Sequence, residues 1–170
     1  QKYNREAKDK TIGFFSESIL VNGTPGPVMD VEKRTYRFRL LNGSNARIYN
    51  FALSDGIKFK LIGSDGGLLD APVDISNILL APGERADVLI NFGSMPVSTE
   101  LFMESASFSG SSSQGNQSFK VMKFKIIKDA TDNFIVPSTL MAVEKISESS
   151  SVASRKFNIG HMMVHGGMEG

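Results

Sequence analysis

Apolar and polar residues alternate along most of this chain in short bursts, each closed by glycine, proline or asparagine. In residues 35–41, Tyr36, Phe38 and Leu40 fall on one side of an extended backbone and Arg37 and Arg39 on the other, because successive side chains of a strand point to opposite faces. Such a strand has one dry face and one wet face. Asn42-Gly43 breaks the pattern, and residues 47–53 read as the return strand. Ile57, Phe59 and Leu61 alternate with Lys58 and Lys60, and "GSDGG" at 63–67 closes that strand. Upstream, 17–21 ends at Asn22-Gly23, and 28–31 is a brief strand kept to a sheet edge by Pro25 and Pro27.

Further on, 73–80 carries interior residues at Ile78, Leu79 and Leu80 but no clear period. Pro82-Gly83 makes a turn into a strand at 86–92, and 101–103 is short. Residues 119–127 form a long strand with Met122, Phe124 and Ile126 dry and Lys123 and Lys125 wet. No segment before residue 128 sustains helical spacing. Short strands punctuated by glycine and proline predict an all-β fold, a β-sandwich or Greek-key barrel. Composition divides the chain into a charged linker at 1–11, a β domain at 12–128 and a mostly irregular C-terminal tail at 129–170. Within it, 107–118 ("SFSGSSSQGNQS") is a flexible loop and 144–156 a polar linker. The start at Gln1 leads us to expect a piece of a longer protein.

Composition changes this picture mainly by what it removes. Nineteen basic residues face 18 acidic ones, and the basic residues of "KRTYRFR" alternate along a strand; this is no footprint for nucleic acid. No apolar run approaches the about 18 residues of a membrane span. There are no cysteines, which rules out disulfides, thiolate nucleophiles, cysteine zinc sites and iron–sulfur clusters. "GTPGPV" and "GSDGG" precede no helix bearing the Lys-Ser/Thr of a phosphate loop. The serines have no histidine within the strand region, so no Ser-His-Asp arrangement is expected there.

Four blocks, "ILVNG", "YRFRLLNGSNAR", "IGSDGGLL" and "PGERADVLINF", run in order from Ile19 to Phe92. Together they resemble the second cupredoxin-like domain of multicopper oxidases, bacterial laccases, spore-coat laccases and cuprous oxidases among them. The resemblance implies a middle domain without copper, organising two outer domains that carry it. The intact enzyme would oxidise phenols or metal ions and reduce dioxygen to water. Copper is then the parent's cofactor, with none expected in this chain's strand core, and the partners are the flanking cupredoxin domains. Exposed docking surfaces would also favour self-association. A copper-free cell-envelope scaffold of the same three-domain plan is the alternative, and a free-standing binding domain using the 107–118 loop is a weaker third. The compartment stays open among cell envelope, exterior, spore coat and cytoplasm.

The candidate residues are chiefly turn-formers. Asn42-Gly43 is read as a turn with positive φ at the glycine, Asn45 as bonded to its own backbone, and Arg47 as a tie for loop carbonyls. Asp65, Gly66 and Gly67 make a second corner. Pro82, Gly83 and Glu84 make a third, with Glu84 or Asp87 paired to Arg85 or to a neighbouring domain. His161, Met162, Met163, His165 and Met168 form a Cu(I) candidate, since imidazole and thioether suit that ion; the plainer reading is a linker. Asp65, Asp70 and Asp74 are read as turn-formers rather than Ca²⁺ ligands.

Overall fold

A computed structural model describes residues 13–109, 115–142 and 144–158. Its strands are β1 (Leu20–Val21), β2 (Thr24–Pro25), β3 (Val28–Glu32), β4 (Thr35–Leu41), β5 (Tyr49–Leu53), β6 (Phe59–Ser64), β7 (Gly67–Ile75), β8 (Asn77–Leu80), β9 (Arg85–Asn91), β10 (Glu100–Ser105) and β11 (Phe119–Lys128). β1 and β2 form a hairpin whose two-residue turn has Asn22 at φ 51° and Gly23 at φ 84°. Asn-Gly suits this turn because both central residues need positive φ. The rest make a five-stranded sheet, β3-β11-β10-β5-β8, and a four-stranded sheet, β4-β9-β6-β7. Neighbours are antiparallel except for β3 with β11.

The two sheets form the expected sandwich, because each contributes its apolar faces to one core. Val31, Phe51, Leu53, Leu101, Met103, Phe124 and Ile126 from the larger sheet meet Phe59, Ala86, Val88 and Ile90 from the smaller. Phe38 on β4 lies 5.3 Å from Phe124 on β11, and Phe92 lies 5.3 Å from the same ring. Each large apolar side chain fully buried here contributes roughly 1.5–3 kcal/mol. β4 keeps its predicted alternation, with Arg37 and Arg39 turned outward onto Asp87.

The structure corrects several details. β5 is not the hairpin partner of β4: β4 pairs with β9, and β5 lies in the other sheet between β10 and β8. The link between them is therefore a crossover. Residues 73–80 are two strands broken at Ser76, where the chain leaves the small sheet for the large one. Of the three residues read as interior there, Leu80 is buried, Ile78 half-buried and Leu79 exposed, because it points to the outer face of β8. β10 extends through Ser105, beyond the short 101–103 segment. On β11 the buried residues are Val121, Phe124 and Ile126, while Met122 is only half-buried. A register shift between Met103 and Glu104 leaves Val121 unpaired and changes the phase of the alternation. β3 is an edge strand as expected. After β11 no strand follows among the described residues, only a 3-10 turn at Glu148–Ser150.

Candidate functional site

One end of the sandwich is organised by a single buried amide. Asn42 ends β4's run and is 1% exposed. Its Nδ2 donates to the carbonyls of Arg47 at 2.7 Å and Leu80 at 2.9 Å. Its Oδ1 accepts from the Ser44 amide at 3.0 Å and the Ser44 hydroxyl at 2.6 Å. Its backbone N–H donates to the Glu84 carbonyl at 3.1 Å, and its carbonyl accepts from the Gly83 N–H at 2.8 Å. The two loops so joined, 42–48 and 81–84, are the β4–β5 and β8–β9 crossovers, both running between the sheets. Asn42 thus ties together two of the passages that make this a sandwich rather than two hairpins.

The predicted turn residues meet different partners from those expected. Gly43 does not take a positive φ; Gly83 does, at 88°, which lets its N–H face the Asn42 carbonyl. Asn45 is exposed, and the bonds of the bend belong to Asn42 and Ser44 instead. Glu84 does not pair with Arg85: its carboxylate accepts from the Ala81 N–H at 2.6 Å, inside its own turn after Pro82. Arg85 reaches across to Asp65, donating from Nε at 2.7 Å and from its backbone N–H at 3.3 Å. These bonds hold the Asp65 carboxyl below its ordinary value. Asp65 and Gly66 form the β6–β7 turn, followed by Gly67 at φ 115°. Asp87 takes Arg37 and Arg39.

Arg47, read as a tie for loop carbonyls, reaches one such carbonyl and has aromatic partners that the sequence did not reveal. Its Nη2 donates to the Ser16 carbonyl at 3.2 Å and its Nη1 to Gln117 at 3.3 Å. The guanidinium carbon sits 5.1 Å from the Phe15 ring centroid and 5.3 Å from that of Phe119, a cation–π geometry. Gly115 is needed here, since an added Cβ would come within 2.8 Å of Arg47 Cγ. Beside this cage Tyr49 stacks on Phe51 at 5.1 Å, and burial pushes its phenol above the ordinary value against a smaller opposing effect of Arg47.

A second polar cluster escaped sequence reasoning altogether. Asn50 is buried on the outer side of β5. Its Oδ1 accepts from Asn77 at 2.7 Å, its Nδ2 donates to the Ser107 carbonyl at 3.3 Å, and its N–H donates to the buried Ser105 hydroxyl at 3.1 Å. The only available signal was an asparagine inside an apolar strand, which normally demands partners.

Among the described residues no buried side-chain nitrogen or oxygen lacks a hydrogen-bond partner. The polar groups are spent on backbone and on one another. Nor, among those residues, do three or more histidine, cysteine, aspartate or glutamate side chains gather to hold a metal ion. Asp65 binds Arg85, Asp74 binds Lys60 at 2.8 Å, and Asp70 accepts from the Ala71 N–H at 3.0 Å. His161, Met162, Met163, His165 and Met168 lie outside the described residues.

Comparison with known proteins agrees with this architecture. The family model for Multicopper oxidase matches residues 1–130. Multicopper oxidase LPR2 of Arabidopsis thaliana is 37% identical over 145 residues, covering 84% of this chain and 25% of LPR2. Cell division protein FtsP of Yersinia pestis is 35% identical over 171 residues, covering 94% of this chain and 34% of FtsP. The crystal structure of the McoA multicopper oxidase from the hyperthermophile Aquifex aeolicus superposes with a TM-score of 0.78 at 40% identity, over 87% of this chain and 32% of McoA. The cupredoxin-like sandwich is therefore shared with solved oxidases. The chain spans a quarter to a third of the length of these relatives.

Proposed function

The chain belongs to the multicopper oxidase family, and from that premise we propose that it is the central, copper-free domain of a longer oxidase. Its work is mechanical: to hold the two outer copper-bearing domains in register and to wall the space between them. Copper in such an enzyme supplies one-electron oxidation of phenols or metal ions and the reduction of dioxygen to water. The residues of this chain do not fit the blue copper site of such an enzyme. A blue copper site takes a cysteine thiolate and two histidines, and this sequence has no cysteine and two histidines, both in its last ten residues.

What carries the reading is that donor inventory in a chain covering 32% of McoA. The crossover corner supports it: its polar groups fix backbone geometry, and small displacements of metal ligands in a neighbouring domain would cost activity. The test is direct. Copper-loaded 1–170 is expected to leave a phenolic dye unoxidised; turnover that survives removal of trace contaminants refutes the proposal. Exposed apolar residues such as Leu41 and Leu79 also support concentration-dependent self-association of the isolated chain. A strict monomer by sedimentation at high concentration refutes that part.

A second reading has its own observation. The FtsP match covers 94% of this chain, so a scaffold of the same three-domain plan that has lost its copper is the alternative. The flanking sequence of the parent separates the two. Paired His-x-His motifs upstream, with His-Cys-His and an axial methionine downstream, mean oxidase; their absence means scaffold.

A further inference from the structure

We infer that residues 129–140 are a strap that crosses and seals the outer face of the four-stranded sheet, and so belong to the folded unit rather than to a linker. Three contacts anchor the segment. Lys33 pairs with Asp129 at 2.8 Å, where the chain leaves β11. The Thr35 N–H, at the start of β4, donates to Asp132 Oδ2 at 2.6 Å. The Leu140 N–H donates to the Asp70 carbonyl of β7 at 2.8 Å. β4 and β7 are the two opposite edges of that sheet. Three strand spacings separate them, about 14 Å, and eight residue steps from 132 to 140 reach up to about 27 Å. The segment has the length for a diagonal crossing.

The face beneath explains why a cover is needed. Leu89 is 7% exposed and Ile62 5%, yet neither belongs to the core cluster. Leu89 alternates with the inward Val88 and Ile90, and its cross-strand partners are Arg37 and Lys60. It therefore points outward. Ile62 sits at a register shift: Leu61 pairs with Val73 and Gly63 with Leu68, so four β7 residues, 69 to 72, face one residue of β6. Asp70, which receives Leu140, lies in this bulge. Two apolar side chains buried on the solvent side of a sheet require something above them. The strap also satisfies a donor on one sheet edge and an acceptor on the other, groups that otherwise invite pairing with a second chain. It brings the chain from the end of β11 in the large sheet to the β7 edge of the small one.

The absence of cysteine makes a clean test possible. In 1–170, Leu89→Cys is expected to react with a thiol reagent about 100-fold more slowly than the exposed control Lys58→Cys. Adding Asp132→Ala and Leu140→Pro, which remove the carboxylate and the donor, should speed labelling of Leu89→Cys at least about 10-fold. Hydrogen exchange on the unsubstituted chain gives a reading that no substitution can spoil. The Thr35 and Leu140 amides should exchange about 100-fold more slowly than those of residues 151–158. A Leu140 amide exchanging as fast as the 151–158 amides overturns the inference. So does a Leu89→Cys labelling rate that the added substitutions leave unchanged. None of these readouts depends on the oxidase reading.

Discussion

Replacing Asn42 with alanine should cost more than any other single polar substitution among the turn residues. The change deletes two donations from Nδ2, to the Arg47 and Leu80 carbonyls, and two acceptances at Oδ1 from Ser44. Its backbone bonds to Glu84 and Gly83 remain. The losses are unequal. The Arg47 carbonyl keeps the Ser44 hydroxyl at 2.8 Å, and Ser44 is half-buried, so water can replace part of what it loses. The Leu80 carbonyl, whose residue also pairs with Tyr49 in the β5–β8 ladder, loses its side-chain donor at a buried contact. Each of the four side-chain bonds is worth about 1 kcal/mol net, with part of the loss made good by water or by the Ser44 hydroxyl. The expected loss is therefore about 3 kcal/mol. For a chain of this size, 1 kcal/mol moves Tm by about 2–4 °C, which predicts a fall of about 6–12 °C. Equilibrium denaturation of Asn42→Ala against the unsubstituted chain measures it. Asn42→Asp keeps the shape but sets an anion against two carbonyl oxygens, and should be at least as damaging at neutral pH. Ser44→Ala should lose only about 1 kcal/mol. A loss below about 1 kcal/mol for Asn42→Ala would show that the two crossovers are held by other means.

Two further outcomes follow from the same geometry. Gly83→Ala should destabilise by about 1–2 kcal/mol, because φ is 88° and an added Cβ meets nothing within 4 Å, so the cost is conformational. Gly43→Ala, with equal space and no positive φ, should stay within about 0.5 kcal/mol or stabilise; equal losses at the two sites would contradict this assignment. Stability should also fall in acid. Asp65 is held below its ordinary value by the Arg85 side chain, Glu32 by Lys128, Glu100 by Lys123, and Asp132 by Thr35. A carboxylate with a depressed folded pKa stabilises fully above its unfolded value, and that contribution is lost as pH falls through the folded one. The decline should therefore begin below about pH 5 and continue downward, and Asp65→Asn should make it shallower in denaturation series from pH 7 to acid. A flat profile throughout would refute the ion-pair reading.

The alternation of residues 35–41 and 57–61, and the Asn22-Gly23 turn, determined the dry faces and the fold class, although the second of these strands begins only at Phe59 and runs on to Ser64. The donor count did the same for chemistry: without a cysteine, no arrangement of these residues makes a blue copper site. Pairing was another matter. β4 looked for its partner five residues away and found it at β9, with Arg37 opposite Leu89. Asn42 rather than Asn45 or Gly43 became the hub, and Arg85 chose Asp65 over the adjacent Glu84. Leu89 and Ile62, read as ordinary strand residues, turned out to face away from the core yet lie buried. The reason is one of range. A period of two reports how a strand's own faces divide between water and core, a local property written residue by residue. Which strand lies alongside, and which carbonyl meets a given amide, depends on the path of the chain between sheets, and that exists only once distant segments have packed together.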